Sequence, residues 1–216
     1  MPTMTTAPDH HDGRPFDAVL CDLDGVIRHY DTSRVTELER ASGLPEGSTA
    51  ERAFAPGNGL PLLLGELTKE QWVDALAHDL SARVPPARAR ALSTAFAEAE
   101  SWIDECVVDQ LRRARASLPV VIVTNAAPWL DDDLAALGLT DLADHVVSSA
   151  RVGVAKPDRR IYEMAAARAG VSPDRCLFVD DARENVAAAV ALGMTGVHYR
   201  EPADLRRALA VLTPPR

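Results

Sequence analysis

Asp22 and Asp24 are separated by one leucine and followed by Gly25, so two carboxylates stand where the chain is free to bend. Further along come Thr124-Asn125, then Lys156, then Asp180-Asp181. Together these are four carboxylates, a hydroxyl, an amide and one ammonium. Two carboxylates about 4 Å apart repel by roughly 4 kcal/mol at an effective dielectric of about 20. One lysine does not offset four such groups, whereas a cation among them does. Hard oxygen ligands without His or Cys suit Mg²⁺. In such a centre Asp22 can act as a nucleophile that becomes an aspartyl-phosphate. Asp24 can protonate the leaving oxygen and later deprotonate water. Thr124 and Asn125 precede a helix-like segment, so they can hold phosphate oxygens. Lys156 supplies a positive charge spanning nucleophile and phosphate.

What could bring these groups together is legible in the hydrophobic pattern. Ala18–Cys21, Pro119–Val123, His145–Ser148, Cys176–Val179 and Gly196–Tyr199 are short apolar runs, continuous rather than alternating. Such runs mark strands covered on both faces. Helix-like segments separate the later ones: Pro128–Leu137, Asp158–Ala169 and Arg183–Leu192, each stopping at a glycine (Gly138, Gly170, Gly193). Strand and helix in alternation predict an α/β fold, a doubly wound parallel sheet. In that fold the residues just past the strand ends face one crevice. Asp22, Asp24, Thr124, Asn125, Lys156, Asp180 and Asp181 all fall there.

Between the first and second strands the rhythm changes. No strand-like run is visible from Asp31 to Asp104; Arg34–Ala41, Thr68–Leu80 and Pro86–Ile103 read as helices, and Thr68 with Gln71 forms a capping-box pattern. The expectation is a small helical cap domain over residues 31–103, inserted into a core of residues 14–30 and 104–216. Glu105–Ser117 returns as a core helix.

The chain has 216 residues, 47% hydrophobic and 25% charged, the balance of an ordinary globular protein. Twenty-three Lys and Arg against 32 Asp and Glu give a net charge of −9. That balance disfavours nucleic acid and membrane surfaces as partners, but leaves room for a small anionic substrate in a locally positive pocket. No apolar run approaches the ~20 residues of a membrane span. Three scattered cysteines fit a reducing, cytoplasmic setting. Residues 1–13, with His10-His11, read as a disordered polar tail and not as a signal peptide. Oligomeric state is not legible.

Four motifs in order carry a resemblance: Asp22-Leu23-Asp24-Gly25-Val26-Ile27; Val123-Thr124-Asn125; Gly153-Val154-Ala155-Lys156-Pro157-Asp158; and Val179-Asp180-Asp181-Ala182-Arg183-Glu184-Asn185. The sequence resembles the haloacid-dehalogenase superfamily, in the subgroup with a helical cap after the first motif. The resemblance runs from about Phe16 to Tyr199. It implies Mg²⁺ held by Asp22, by the backbone carbonyl of Asp24 and by Asp181. It places Asp180 as a water-mediated partner and Asn185 as support for the metal's water shell. It implies a phosphatase-type hydrolase of a small phosphorylated metabolite.

Competing expectations differ in their chemistry. A 2-haloacid dehalogenase lacks a carboxylate two residues after its nucleophile, because halide leaves without a proton; Asp24 argues against that reading. Arg28-His29-Tyr30 departs from the pattern of phosphomutase relatives. A signalling receiver domain also uses acidic residues, a Thr and a Lys, but there the Lys comes last, and here Lys156 precedes Asp180-Asp181. A calcium loop starting at Asp22 needs Glu at its twelfth position, which is Ser33. Cys21 is expected to pack rather than react, and Trp72 and Trp102 to sit in the core of cap helices. Arg28, His29 and Tyr30 are candidates for substrate contact. Asp131-Asp132-Asp133 is expected as charge favoured at a helix start.

Overall fold

The computed structural model describes residues 14–212; the expected tail with His10-His11 lies outside them. Its central feature is a parallel sheet of five strands among the described residues, in the order β5-β4-β1-β6-β7. These are β1 (Ala18–Cys21), β4 (Val120–Thr124), β5 (His145–Ser148), β6 (Cys176–Asp180) and β7 (Thr195–His198). Their continuous apolar runs have a simple cause. Val19 and Cys21, Val120 and Ile122, Leu177 and Val179 enter one core cluster. Ala18 and Leu20, Val121 and Val123, Cys176 and Phe178 enter the other. Alternate side chains leave the sheet on opposite faces, and both faces are dry.

Helices α6 (Glu105–Arg115), α7 (Leu130–Ala136) and α11 (Pro202–Leu209) cover the first face through Val107, Val108, Leu111, Leu130, Leu134 and Leu205. Helices α9 (Arg159–Ala169) and α10 (Arg183–Val190) cover the second through Ile161, Tyr162, Ala165 and Ala189. A single turn, α8 (Ser149–Val152), follows β5. The five strands expected from the sequence are present, β7 one residue earlier than the pattern indicated.

Five helices lie between β1 and α6: α1 (Ser33–Ala41), α2 (Ser48–Ala53), α3 (Pro56–Leu63), α4 (Lys69–Leu80) and α5 (Pro86–Ala97). They enclose a separate apolar cluster of Ala53, Leu62, Trp72, Leu76, Leu80 and Leu92. The Thr68–Gln71 capping box is formed reciprocally, with bonds of 3.2 and 2.9 Å.

One expectation fails here. The helix drawn over Pro86–Ile103 stops at Ala97, and Ser101–Ile103 is a strand, β3. It pairs antiparallel with β2 (Arg28–Tyr30), placing Arg28 opposite Ile103 and His29 opposite Trp102. Trp102 therefore lies outside any helix and is 54% exposed, its ring stacked on His29 at 4.5 Å. Three residues are too few to show a period of two, and the partner strand is some seventy residues upstream, beyond the reach of local pattern. The ribbon carries the chain out to the helices and back, and its two strands fall one in the range drawn as core and one in the range drawn as cap.

Candidate active site

The first acid is placed by the sheet itself. Asp22 follows β1, and its N–H continues the ladder to the Val179 carbonyl at 2.9 Å. The chain then turns tightly: the N–H groups of Ile27 and Arg28 both bond the Leu23 carbonyl at 2.8 Å, and Gly25 N–H bonds the Arg28 carbonyl. Gly25 has φ +79°, and a Cβ built there would fall 2.7 Å from the Asp181 carboxyl carbon. Glycine suits the turn at this positive φ and leaves the Asp181 carboxylate its place beside the first loop.

Asp22 is nearly buried, and its Oδ1 accepts the Leu23 N–H at 2.7 Å. Lys156 Nζ lies 2.8 Å from the same oxygen and 2.7 Å from Asp180 Oδ2. The Lys156 loop is fixed by a reciprocal pair: Lys156 N–H donates to Asn125 Oδ1 at 2.7 Å, and Asn125 Nδ2 donates to the Lys156 carbonyl at 2.9 Å. Asp180 is fully buried. It accepts from the Ala182 N–H at 2.8 Å and from Asn185 Nδ2 at 3.0 and 3.1 Å, besides Lys156. Asp181 is exposed, and His198 Nε2 lies 3.0 Å from its carbonyl oxygen.

Carboxylate oxygens of Asp22, Asp180 and Asp181 all lie within 4.8 Å of one another. Burial pushes the Asp22 carboxyl up from 3.8 to about 7, with Asp180 adding to the rise and Lys156 opposing it. Asp181 is also raised, by burial and then by the charge of Asp180. Burial works against the Lys156 charge, yet Asp22 and Asp180 together hold its pKa above the ordinary value. The cluster carries more negative charge than one ammonium neutralises, and its donors are all oxygen. That is the donor set of a hard divalent cation.

Asp22, Lys156, Asp180 and Asp181 are thus brought together. Thr124 ends β4 fully buried, and its Oγ1 has no protein partner among the described residues. Asn125 has a further task beside the expected one: its Oδ1 and one N–H of Nδ2 are used on the Lys156 backbone, so the amide orients the lysine loop. Asp24 is part-exposed and turned to Arg28, at 2.6 Å from Nε and 3.0 Å from Nη2. Arg28 also reaches Asp133 at 2.9 Å. Asp133 is therefore more than a charge at a helix start, and Arg28 is engaged by two carboxylates.

The sequence pattern assigned no part in the site to three contributors. Ser149 Oγ accepts the Ala126 N–H at 3.1 Å and steadies the loop after β4. His198 and Asp133 complete the list. All three depend on which strand neighbours which, and no local motif marks them. Cys21 is buried in the core cluster of the first face, and burial raises its pKa well above the ordinary value, as fits a packing residue.

The sequence model of haloacid dehalogenase-like hydrolases matches residues 16–193. The chain belongs to that hydrolase family. A phosphatase of Mycobacterium tuberculosis is 31% identical over 192 residues, covering 82% of this chain and 84% of that protein. Bifunctional epoxide hydrolase 2 of Rattus norvegicus is 28% identical over 212 residues; the match covers 89% of this chain but only 38% of that longer protein. The crystal structure of a family enzyme from Bacteroides thetaiotaomicron, a complex with magnesium and inorganic phosphate, superposes with a TM-score of 0.64. It is 21% identical and covers 83% of this chain and 92% of that one. The parallel core expected from the sequence is the family's fold.

Proposed function

We propose that the chain is a Mg²⁺-dependent phosphatase that hydrolyses a small phosphomonoester through an aspartyl-phosphate on Asp22. The observation that carries this is the convergence of buried Asp22, Lys156 and the Asp180-Asp181 pair at the tips of β1 and β6, within 4.8 Å for the three acids. Asp22, the Asp24 carbonyl and Asp181 would hold the metal, with Asp180 behind them. Asp180 already accepts from three donor groups, which favours the more exposed Asp181 as direct ligand. The cation, when bound, would neutralise charge developing on the transferring phosphoryl group.

The chain's own residues supply the rest. An Asp22 carboxylate oxygen attacks phosphorus, the ester P–O bond breaks, and its electron pair leaves on the alcohol oxygen, which takes a proton from Asp24. Asp24, now a carboxylate, removes a proton from water; that water attacks the acyl phosphate and releases inorganic phosphate and free Asp22. Lys156 keeps Asp22 oriented and shares the charge of the phosphoryl oxygens. The Thr124 hydroxyl, without a partner among the described residues, would donate to one of those oxygens.

Helices α1–α5 act as the cap in this proposal, residues 31–103 lying over the crevice of a core made of 14–30 and 104–216. Trp129, in the loop after β4, packs against their apolar cluster and lies 6.4 Å from the Trp72 ring. Gly65, between α3 and α4, comes so near the Ala150 carbonyl that a Cβ would collide with it. No described helix is long and apolar enough to cross a membrane. The three cysteines are all free, which supports a cytoplasmic setting.

A panel of phosphomonoesters assayed with Mg²⁺ and with EDTA tests the proposal. Asp22→Asn is expected to abolish turnover while the circular dichroism spectrum stays unchanged. An Asp22→Asn protein that still hydrolyses phosphoesters, or a wild type that releases halide in EDTA, would exclude it.

A further inference from the structure

Arg28 is 4% exposed in its side chain, yet the first motif does not call for a cation at that position. Its guanidinium bonds both oxygens of Asp24, Nε to Oδ1 at 2.6 Å and Nη2 to Oδ2 at 3.0 Å. The remaining nitrogen, Nη1, donates to Asp133 Oδ2 at 2.9 Å. A planar guanidinium engaged on both oxygens fixes the plane and direction of a carboxylate, which a lysine ammonium does not. An ion pair between a buried guanidinium and part-exposed carboxylates adds little net stability, so stability alone does not account for the arrangement.

The three residues come from elements with different ties. Asp24 belongs to the turn after β1. Arg28 opens β2, the strand leading to the helical insertion. Asp133 stands in the first turn of α7, which is anchored in the core by Leu130 and Leu134. The Arg28 backbone is itself bonded to Leu23 and Gly25 of the turn. Asp24 is therefore tied through Arg28 to a core helix.

We propose that Arg28 is a positioning residue for Asp24, with Asp133 as its anchor, holding the acid/base carboxylate in line with the leaving oxygen. This rests on the phosphatase reading above. Its chemical consequence is selective. When the ester P–O bond breaks, an alkyl alkoxide must receive the Asp24 proton, whereas a nitrophenolate leaves without one. Positioned general acids contribute about 10²–10⁴-fold, and a misplacement of about 1 Å forfeits about 10²-fold. The pair Arg28–Asp133 therefore matters for the cleavage of alkyl phosphates and little for that of aryl phosphates of low leaving-group pKa, the step that kcat/KM reads; the later attack of water on the acyl phosphate is common to both.

The test compares kcat/KM for an alkyl phosphate and for p-nitrophenyl phosphate in wild type, Arg28→Lys, Arg28→Met and Asp133→Asn, with Asp24→Asn marking the full size of the effect. Expected is a loss of about 10–100-fold on the alkyl ester and less than about threefold on the nitrophenyl ester. Mg²⁺ affinity by calorimetry should stay within about twofold, since Asp24 is proposed to offer the metal only its carbonyl. Arg28→Lys and Asp133→Asn keep charge or shape at the site, so the outcome does not hang on whether Arg28→Met folds. Equal losses on both esters, no loss on either, or a parallel loss of Mg²⁺ affinity would overturn the positioning role. A folded wild type inactive on both esters would instead bring down the phosphatase reading beneath it.

Discussion

Gly25→Ala separates two demands that the first loop meets at once. The residue sits at φ +79°, where an L side chain costs about 1–2 kcal/mol, so a modest loss of stability is expected. The second demand is spatial. The new Cβ would stand 2.7 Å from the Asp181 carboxyl carbon, whereas carbon atoms pack at about 3.5–4.0 Å. The carboxyl group must retreat by about 1 Å. Asp181 is exposed and can swing away with little further cost to the fold. A Mg²⁺ ligand has no such latitude, because metal–oxygen distances hold to within about 0.2 Å. The substitution should therefore cost one carboxylate ligand, weakening Mg²⁺ binding at least about tenfold, or about 1.4 kcal/mol. Isothermal titration of Mg²⁺ into Gly25→Ala and Asp181→Asn should give similar losses, beside urea midpoints showing only the backbone cost. A Gly25→Ala protein that binds Mg²⁺ within about twofold of wild type would refute the assignment of Asp181 as a ligand.

Two more expectations concern charge. Lys156→Met removes the ammonium lying 2.8 Å from Asp22 and 2.7 Å from Asp180, so two buried carboxylates lose their partner. Urea denaturation in EDTA should show a loss of about 3–5 kcal/mol, partly recovered when Mg²⁺ is added; a loss below about 1 kcal/mol would mean the lysine is not the partner those acids depend on. Asp22 itself links stability to pH. Its folded pKa of about 7 lies above the ordinary 3.8, so its contribution to stability is full below about pH 4 and disappears as pH rises through about 7. In EDTA, wild type should lose up to about 4 kcal/mol relative to Asp22→Asn across that window, and parallel stability–pH curves for the two proteins would contradict the burial argument.

How much of this was legible in the sequence depended on range. The parallel core was legible because its three central strands bury both faces and declare themselves in four or five residues, as Val120–Thr124 does. The Thr68 capping box was legible because its two partners are three residues apart. The β2–β3 ribbon was not, since its halves are short and distant, and Ser101–Ile103 follows a helix whose apolar spacing continues into it. The strand tips indicated which groups meet but not how each is used. Asn125 stands where a phosphate contact was expected and turns its amide to the Lys156 backbone. Asp133 looked like one of three interchangeable helix-start acids until the ribbon brought Arg28 beneath it.

The adjacent acids Asp180 and Asp181 show how a strand end divides roles between neighbours. Asp180 is the last residue of β6 and lies inside the sheet's dry boundary, where an ionised carboxylate persists only if its acceptors are filled. Ala182 N–H, Asn185 and Lys156 fill them. Asp181 is one step beyond, exposed, with its carbonyl rather than its carboxylate near His198. In the proposed reaction the first acid would therefore aim Lys156 at Asp22, and the second would keep its oxygens for a cation. Exchanging their surroundings, not their chemistry, would exchange their functions. The same logic runs through Asp22 and Asp24. Asp22, nearly buried against a lysine, is the nucleophile of the proposed reaction. Asp24, part-exposed against an arginine, is its proposed carrier of protons between the leaving alcohol and water.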